Sequence, residues 1–270
     1  MKFYFLLSLV CISTICKAQQ NVKIYYEQIE DGYNIYADNQ EFCPVSIKID
    51  FDITNLEISG GNNNMYVIEP LKKRELLTKL TVSKKGKAYK FNYKYWTNYG
   101  NHSNDKFDSD FVYNLPFSNS NSFKVHQGYN GNFSHQNENA IDFTMPIGTE
   151  ITAIREGVVI KVVENNSKNC EKEECKKYNN LIIIYHPDGT FAEYTHIKRN
   201  GSIVNIGDKV DQGEIIGYSG NVGWSTGPHL HLVVFLQKLN KRETLETKFK
   251  TGNGDIIEYL AEKKEYSRNY

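Results

Sequence analysis

Residues 227–235 read GPHLHLVVF, an apolar run that carries His229 and His231 two positions apart. In a β-strand, positions i and i+2 share a face. Both imidazoles therefore project to one side, while Leu230, Leu232 and Val234 fill the other. Two buried polar rings need partners, because an unsatisfied buried polar group costs about 1–3 kcal/mol. Other side chains have the same character. His135 lies in GYNGNFSHQNENAIDF, followed by Asp142 among Ala140, Ile141 and Phe143, and His196 stands in EYTHI, on a strand with apolar neighbours. A carboxylate in an apolar run is costly unless paired or coordinated.

One such histidine is ordinarily a satisfied core residue, but four with a carboxylate between residues 135 and 231 suit a metal better. Catalytic zinc takes three nitrogen or oxygen ligands and keeps a fourth position open. His135, Asp142 and one ring of the HLH pair supply three, leaving two imidazoles for proton handling. Zinc lowers the pKa of a bound water and polarises a scissile carbonyl. A neighbouring imidazole can take the proton, pass it on, or steady developing charge. The remaining histidines differ. His102 sits in the polar loop NYGNHSND and reads as solvated; His186, in the turn YHPDGT, reads as structural; His126, in KVHQGYNG, is ambiguous.

The elements that must position these residues are strands. Over residues 21–115, VKIYYEQIEDGYNIYA forms two alternating runs joined around Asp31-Gly32, a hairpin signal. PVSIKIDFDI and AYKFNYKYW alternate in the same way, with Tyr89, Phe91, Tyr93 and Tyr95 on one face. This pattern argues for a β-sandwich-like domain with one solvated face, and its aromatic row reads as core. PFSNSNS, residues 116–122, marks the boundary. Beyond it come EITAI, GVVIKVVE, NLIIIYH, FAEYTHI, GEIIGYSG and HLHLVVF, with no major helix before about residue 238. The expectation is an all-β chain: residues 19–118 a β-rich domain, 119–240 the chemical domain, and 241–270 a charged tail with a short helix near Ile256–Lys264.

At the amino end, MKFYFLLSLVCISTICKAQQ has a basic n-region, an apolar stretch and a small residue at Ala18, the pattern of a cleaved signal peptide over residues 1–18. The apolar stretch is short for a membrane span, and neither Cys11 nor Cys16 follows the small residue that lipid anchoring needs. The implied location is secreted or periplasmic. There Cys170 and Cys175 can bridge; a zinc site from that pair lacks a second pair nearby, and Cys43 has no evident role. Lys plus Arg and Asp plus Glu both number 32. With charges balanced and no basic patch, the composition gives no argument for nucleic acid.

The order His135…Asp142, then EYTHI, then SGNVGWSTGPHLHLVV resembles the lysostaphin-type, or LytM-like, zinc endopeptidases. AIDFTMPIGTEITAIREGVVI and GDKVDQGEIIGYSGN fit the same pattern, and the resemblance covers roughly residues 123–236. It implies an antiparallel β-sheet core with barrel-like closure and one zinc ion. It also implies His135, Asp142 and His231 as ligands, with His229 as general base and His196 as an orienting or transition-state-stabilising group. The family often spaces its first ligands as H-x-x-x-D; here QNENAI intervenes, a longer-loop variant. Gly220, Gly223 and Gly227 would let the loop before HLH turn sharply, and Tyr129 and Trp224 would line the substrate groove.

The activity implied is hydrolysis of peptide bonds in bacterial peptidoglycan, with its peptides as partners. A silent relative that activates a cell-wall amidase or acts as a scaffold is the alternative, but such relatives lose site residues and all five are present. GDKVDQGEIIG also looks like half of a biotinyl or lipoyl carrier motif or of a sugar-phosphotransferase domain, yet no modifiable lysine sits at a hairpin tip. The N-terminal domain could hold a cell-envelope partner or cover the groove. An Asn from PFSNSNS or YNGN could occupy a fourth metal position and make the enzyme latent.

Overall fold

The structure, a computed structural model, describes residues 20–62 and 64–270. The expected signal peptide lies outside the described residues. Regular structure among them is almost wholly β, with one short 3-10 helix at Glu173–Tyr178; among the described residues no helix is long and apolar enough to cross a membrane.

The N-terminal domain is a sandwich of two antiparallel sheets. One orders its strands Val22–Ile29, Gly32–Asn39, Glu75–Val82 and Leu56–Ile58; the other orders Met65–Ile68, Val45–Thr54 and Lys90–Tyr99. The alternation read in the sequence sets what faces inward. Ile35, Val45, Ile47, Ile49 and Leu80 are buried between the sheets, with Phe91, Tyr93 and Tyr95 packed against them. The expected hairpin forms with a turn at residues 30–31, and Ile29 pairs with Gly32. Gly32 is required by a close approach, since a Cβ there would stand 1.9 Å from the Leu80 carbonyl oxygen.

The second domain is built on one long antiparallel sheet. Its order is Lys209–Val210, Gly157–Val163, Leu181–Tyr185, Phe191–Thr195, His229–Gln237, Ala140–Thr144, Asn121–Gln127 and Glu265–Arg268. On its inner face, Ile141, Phe143, Ile182, Ile184, Tyr194, Leu230, Leu232 and Val234 join a single core. Two three-stranded sheets cover that face, contributing Ile151, Ile197 and Ile216 from one and Tyr113 and Phe249 from the other. Leu230, between the two HLH histidines, and Leu232 after them thus anchor the strand, as alternation requires.

Two expectations are corrected at the edges of this domain. The reading of a helix near Ile256–Lys264 fails. Ile256–Tyr259 and Glu265–Arg268 are strands, the first paired with Lys248–Thr251 and the second with Asn121–Gln127. The reason lies in TGNGD, where Gly252 and Gly254 adopt φ of +63° and +92° and make a hairpin turn before two β-branched residues. The tail is therefore not appended. Arg268 is buried, and its guanidinium donates to the Phe117 carbonyl at 2.7 Å and to Thr152 Oγ1 at 3.0 Å. The second core also starts ahead of the expected linker, because Tyr113, Leu115 and Phe117 belong to it.

The two domains share a third core. Phe42, Cys43 and Tyr99 of the sandwich pack on Ala140, Ile160, Ile183, Phe191, Val233 and Phe235 of the long sheet. These six lie on the outer face, the face that also bears His229, His231 and Asp142. Cys43 thereby gains a place, buried in the seam, where desolvation pushes its thiol up to about 12. Gly100 lies so near the seam that a Cβ would stand 3.1 Å from the Phe191 ring.

Candidate active site

Cross-strand register does the first part of the assembly. Asp142 stands directly opposite His231, and Thr144 opposite His229. On the other flank Thr195 pairs with His231. His135 comes from the loop before Ala140–Thr144. Gln127 holds that loop: its Oε1 accepts from the Phe133 and Ser134 backbone N–H groups at 3.2 Å, and its Nε2 donates to Ser134 Oγ at 2.8 Å. The sequence reading missed Gln127, a buried amide at the end of a strand.

Three ligand atoms meet. His135 Nε2 is 3.3 Å from Asp142 Oδ1, His231 Nδ1 is 2.9 Å from the same oxygen, and the two nitrogens are 3.2 Å apart. Zinc bound at about 2.0–2.1 Å in tetrahedral geometry separates its ligands by roughly 3.3 Å. The triangle therefore fits a zinc ion with little adjustment. Among the described residues it is the group of His, Cys, Asp and Glu whose ligand atoms converge in this way. Tautomers agree with that use. His135 is fully buried, and its Nδ1–H donates to the Gly128 carbonyl at 3.0 Å, leaving the Nε2 lone pair toward the triangle.

Electrostatics follow from the same contacts. Burial alone would raise the Asp142 carboxyl, but its close contacts with the His135 and His231 rings outweigh it and hold the group far below the usual carboxylate range. Burial would lower His231; the Asp142 carboxylate outweighs it and raises the ring. A metal bound there would take the place of the proton between His231 Nδ1 and Asp142 Oδ1.

The other two rings form a second layer. His196 and His229 have ring centroids 4.4 Å apart, and His229 Nε2 lies 3.8 Å from Asp142 Oδ1. His196 Nδ1–H donates to the Val222 carbonyl and His229 Nδ1–H to the Gly227 carbonyl, each at 2.7 Å. Both rings therefore present an unprotonated Nε2. Desolvation, reinforced by the neighbouring imidazoles His229 and His231, pulls His196 down to about 3; desolvation also lowers His229. Both are neutral at pH 7 and able to accept a proton.

His196 departs from the sequence reading in one respect. It is not within a strand but between Phe191–Thr195 and Ile197–Ser202, with φ of +69°. Strict alternation would turn it toward the inner core, as Tyr194 is turned. The left-handed residue breaks the alternation and brings the ring to the site, a strained conformation of the kind stored at functional positions.

The site opens into a groove of about 910 Å³ whose lining includes Asp142, His196, His229, His231 and Trp224. Trp224 is joined to the disulfide region: Cys170 and Cys175 are bonded, Cys170 pairs with Trp224, and Trp224 Nε1–H donates to the Glu171 carbonyl at 3.0 Å. Phe133, 69% exposed, faces Trp224 with centroids 6.5 Å apart. Tyr129 is a correction. It does not line the groove; it packs on the inner core, and its hydroxyl pairs with Thr247 Oγ1 at 3.0 Å. Its neighbours in the sequence, Gly128 and Asn130, belong to the His135 loop, but its aromatic ring finds an apolar partner elsewhere.

The glycines divide as well. A Cβ at Gly220 would stand 2.7 Å from the Lys198 backbone and Gly223 has φ of +91°, whereas a Cβ at Gly227 would meet open space. No asparagine of residues 116–122 or 129–132 lines the groove, nor does any described residue of the N-terminal domain. His126 is exposed and lines it; His186 is buried and structural, its Nδ1–H donating to the Glu156 carbonyl at 2.7 Å. His102 is less solvated than its loop suggested, half-buried with Nδ1 3.0 Å from Ser46 Oγ.

Two further groove residues escaped the sequence reading. Glu193 is buried beside the site, accepts from Thr195 Oγ1 at 3.2 Å, and is paired with Arg242 Nη2 at 2.7 Å. An acidic residue in FAEYT, two before Thr195 and so on its face, was the available signal.

Comparison with known proteins finds relatives over the same part of the chain. Residues 136–243 match the model of peptidase family M23, a span that begins one residue past His135 and takes in the other four site residues. Peptidoglycan DD-endopeptidase ShyA of Vibrio cholerae is 30% identical over 130 residues, which are 47% of this chain and 27% of ShyA. Lysostaphin of Staphylococcus staphylolyticus is 34% identical over 105 residues, 38% of this chain and 19% of that protein. The structure of lysostaphin from Staphylococcus simulans aligns at 30% identity with a TM-score of 0.35, covering 45% of this chain and 47% of that one. The match thus spans about a quarter of the length of ShyA and about a fifth of that of lysostaphin.

Proposed function

Residues 136–243 being a peptidase family M23 domain, we propose that the protein is a zinc-dependent endopeptidase acting on the peptide cross-links or bridges of bacterial peptidoglycan. The observation that carries the reading is the His135–Asp142–His231 triangle with two neutral imidazoles beside it in an open groove. A zinc ion held there would polarise the scissile carbonyl and make a bound water more acidic. The chain's own residues would do the rest. His229, neutral and with Nε2 3.8 Å from Asp142, takes the water's proton and returns it to the leaving amine. His196, anchored through Nδ1 to Val222, orients the water as an acceptor. Trp224 supplies an apolar wall for the peptide.

An amidase activator or scaffold would not need five converging site residues, and none is missing here. Export accords with the substrate. The Cys170–Cys175 bond suits an oxidising compartment, and residues 1–18 have the composition of a secretory signal. The exposed surface of the N-terminal sandwich is then the candidate contact for a cell-envelope partner.

The test is zinc titration of metal-stripped protein followed by assay on two synthetic substrates, an oligoglycine and a cross-linked stem dimer. One bound zinc and zinc-dependent cleavage of either substrate supports the reading. A folded protein that binds no zinc at the triangle overturns it.

A further inference from the structure

One side of the groove carries a partly buried ion pair. On the outer face of the long sheet, the row through His231 and Thr195 carries the site, and the next row, through Val233 and Glu193, carries an ion pair. Beyond that row the sandwich covers the sheet, so Phe191 and Phe235 are sealed under Phe42, Cys43 and Tyr99. The seam is tied down next to the pair, where Asn98 Nδ2 donates to the Lys238 and Leu239 carbonyls at 3.3 and 3.1 Å. Glu193 and Arg242 are therefore the groove's wall on this side.

The two partners are not alike. Glu193 is buried, and both its oxygens are engaged, by Thr195 and by Arg242. Arg242 is 41% exposed, lines the groove, and has its guanidinium over the Phe235 ring at 4.4 Å. Of its five N–H donors one is spent on Glu193; the stacking and the pairing fix its plane before any ligand arrives. A fixed guanidinium with free donors is suited to a carboxylate. Arg242 itself pairs with Gln237, farther along the strand, but its side chain reaches back over Phe235 to Glu193. The Glu193 row is two strand positions, about 7 Å, from the site row, the reach of a carboxylate on the residue next to the bond cut.

We infer that Arg242 is a specificity-determining residue that receives a free carboxylate flanking the scissile bond. The substrate class is then a cross-link whose amine comes from a diamino acid that keeps its own carboxylate, and not a neutral oligoglycine bridge. The inference rests on the peptidase reading above.

The test uses the zinc-loaded full-length protein and three probes: a stem dimer with that carboxylate free, the same dimer amidated there, and pentaglycine. The free acid should exceed the amide about tenfold or more in kcat/KM, chiefly through KM, and pentaglycine should be poorest. Arg242→Gln should bring the acid-to-amide ratio of kcat/KM down to about one. Glu193→Gln/Arg242→Gln should do the same without leaving a buried carboxylate unpaired, with thermal unfolding reporting that it folds. Equal rates on acid and amide, a preference for pentaglycine, or a preference that survives in Arg242→Gln would overturn the inference. If no probe is hydrolysed, the peptidase reading fails separately. Calorimetric binding of acid and amide then decides the arginine: tighter binding of the acid supports its role, and equal binding ends it.

Discussion

One face of one sheet serves two purposes in this molecule. At one end it carries His229, His231, Asp142 and Thr195 and stands open as a groove; at the other it carries Val233, Phe235, Phe191 and Ile183 and is sealed by the N-terminal sandwich. The strands, the register and the inner core beneath are continuous across the two halves. Only the side chains of the outer face change, over a single two-residue step. A rigid, doubly supported sheet under the site holds its side chains to the tolerance that chemistry needs. The covered half supplies part of that rigidity, burying large apolar side chains that would otherwise be exposed beside the groove.

The comparison can be broken most severely in the open half. His231→Ala or Asp142→Ala should abolish metal binding and hydrolysis together, with metal content read by mass spectrometry; full zinc occupancy in His231→Ala would remove it from the ligand set. His229→Ala should lower kcat by about 10²–10⁴-fold while zinc stays bound. Turnover unchanged in that variant would shift the base role to His196.

In the covered half the effect should fall on stability. Phe191→Ala removes a fully buried ring from the seam and should cost about 3–5 kcal/mol, measured by denaturant unfolding, with zinc stoichiometry unchanged. Loss of zinc together with stability would show that the halves are not separable.

A smaller effect lies away from both. Burial lowers His186 to about 4 in the folded protein against an ordinary value of about 6.5. The unfolded chain then binds a proton that the folded chain refuses, so stability falls as pH drops from about 6.5 to 4, by up to about 3 kcal/mol from this ring. His186→Asn, which can keep the donor to Glu156, should flatten that slope in denaturant titrations; an unchanged slope would place its origin elsewhere. Smallest of all, Trp224→Ala should raise KM a fewfold with little loss of stability, since the ring is half-exposed.

Much of the open half was legible in the sequence. Alternation alone places His229 and His231 on one face, and polar residues in apolar runs single out Asp142 and the histidines. The sandwich was legible for the same reason, since its strands alternate cleanly. Four things were not. His196 reaches the site through a left-handed residue, which no periodicity encodes. Tyr129 sits in the right loop but is claimed by Thr247 and the inner core, a long-range contact. The tail reads as charged because its strands lie at the surface, yet Tyr266 and Arg268 are buried. The covering of Phe191 and Phe235 by the sandwich depends on how two domains meet, and residues such as Cys43 and Tyr99 give no local sign of it.

The central claim is that the open half is a zinc-dependent peptidase acting on peptidoglycan. Its most direct test is mass spectrometry of the fragments released from purified peptidoglycan by zinc-loaded protein, with chelated protein and His229→Ala alongside. The account predicts new peptide termini that require both zinc and His229, with masses that name the bond. Intact peptidoglycan after exposure to folded, zinc-loaded protein would contradict it.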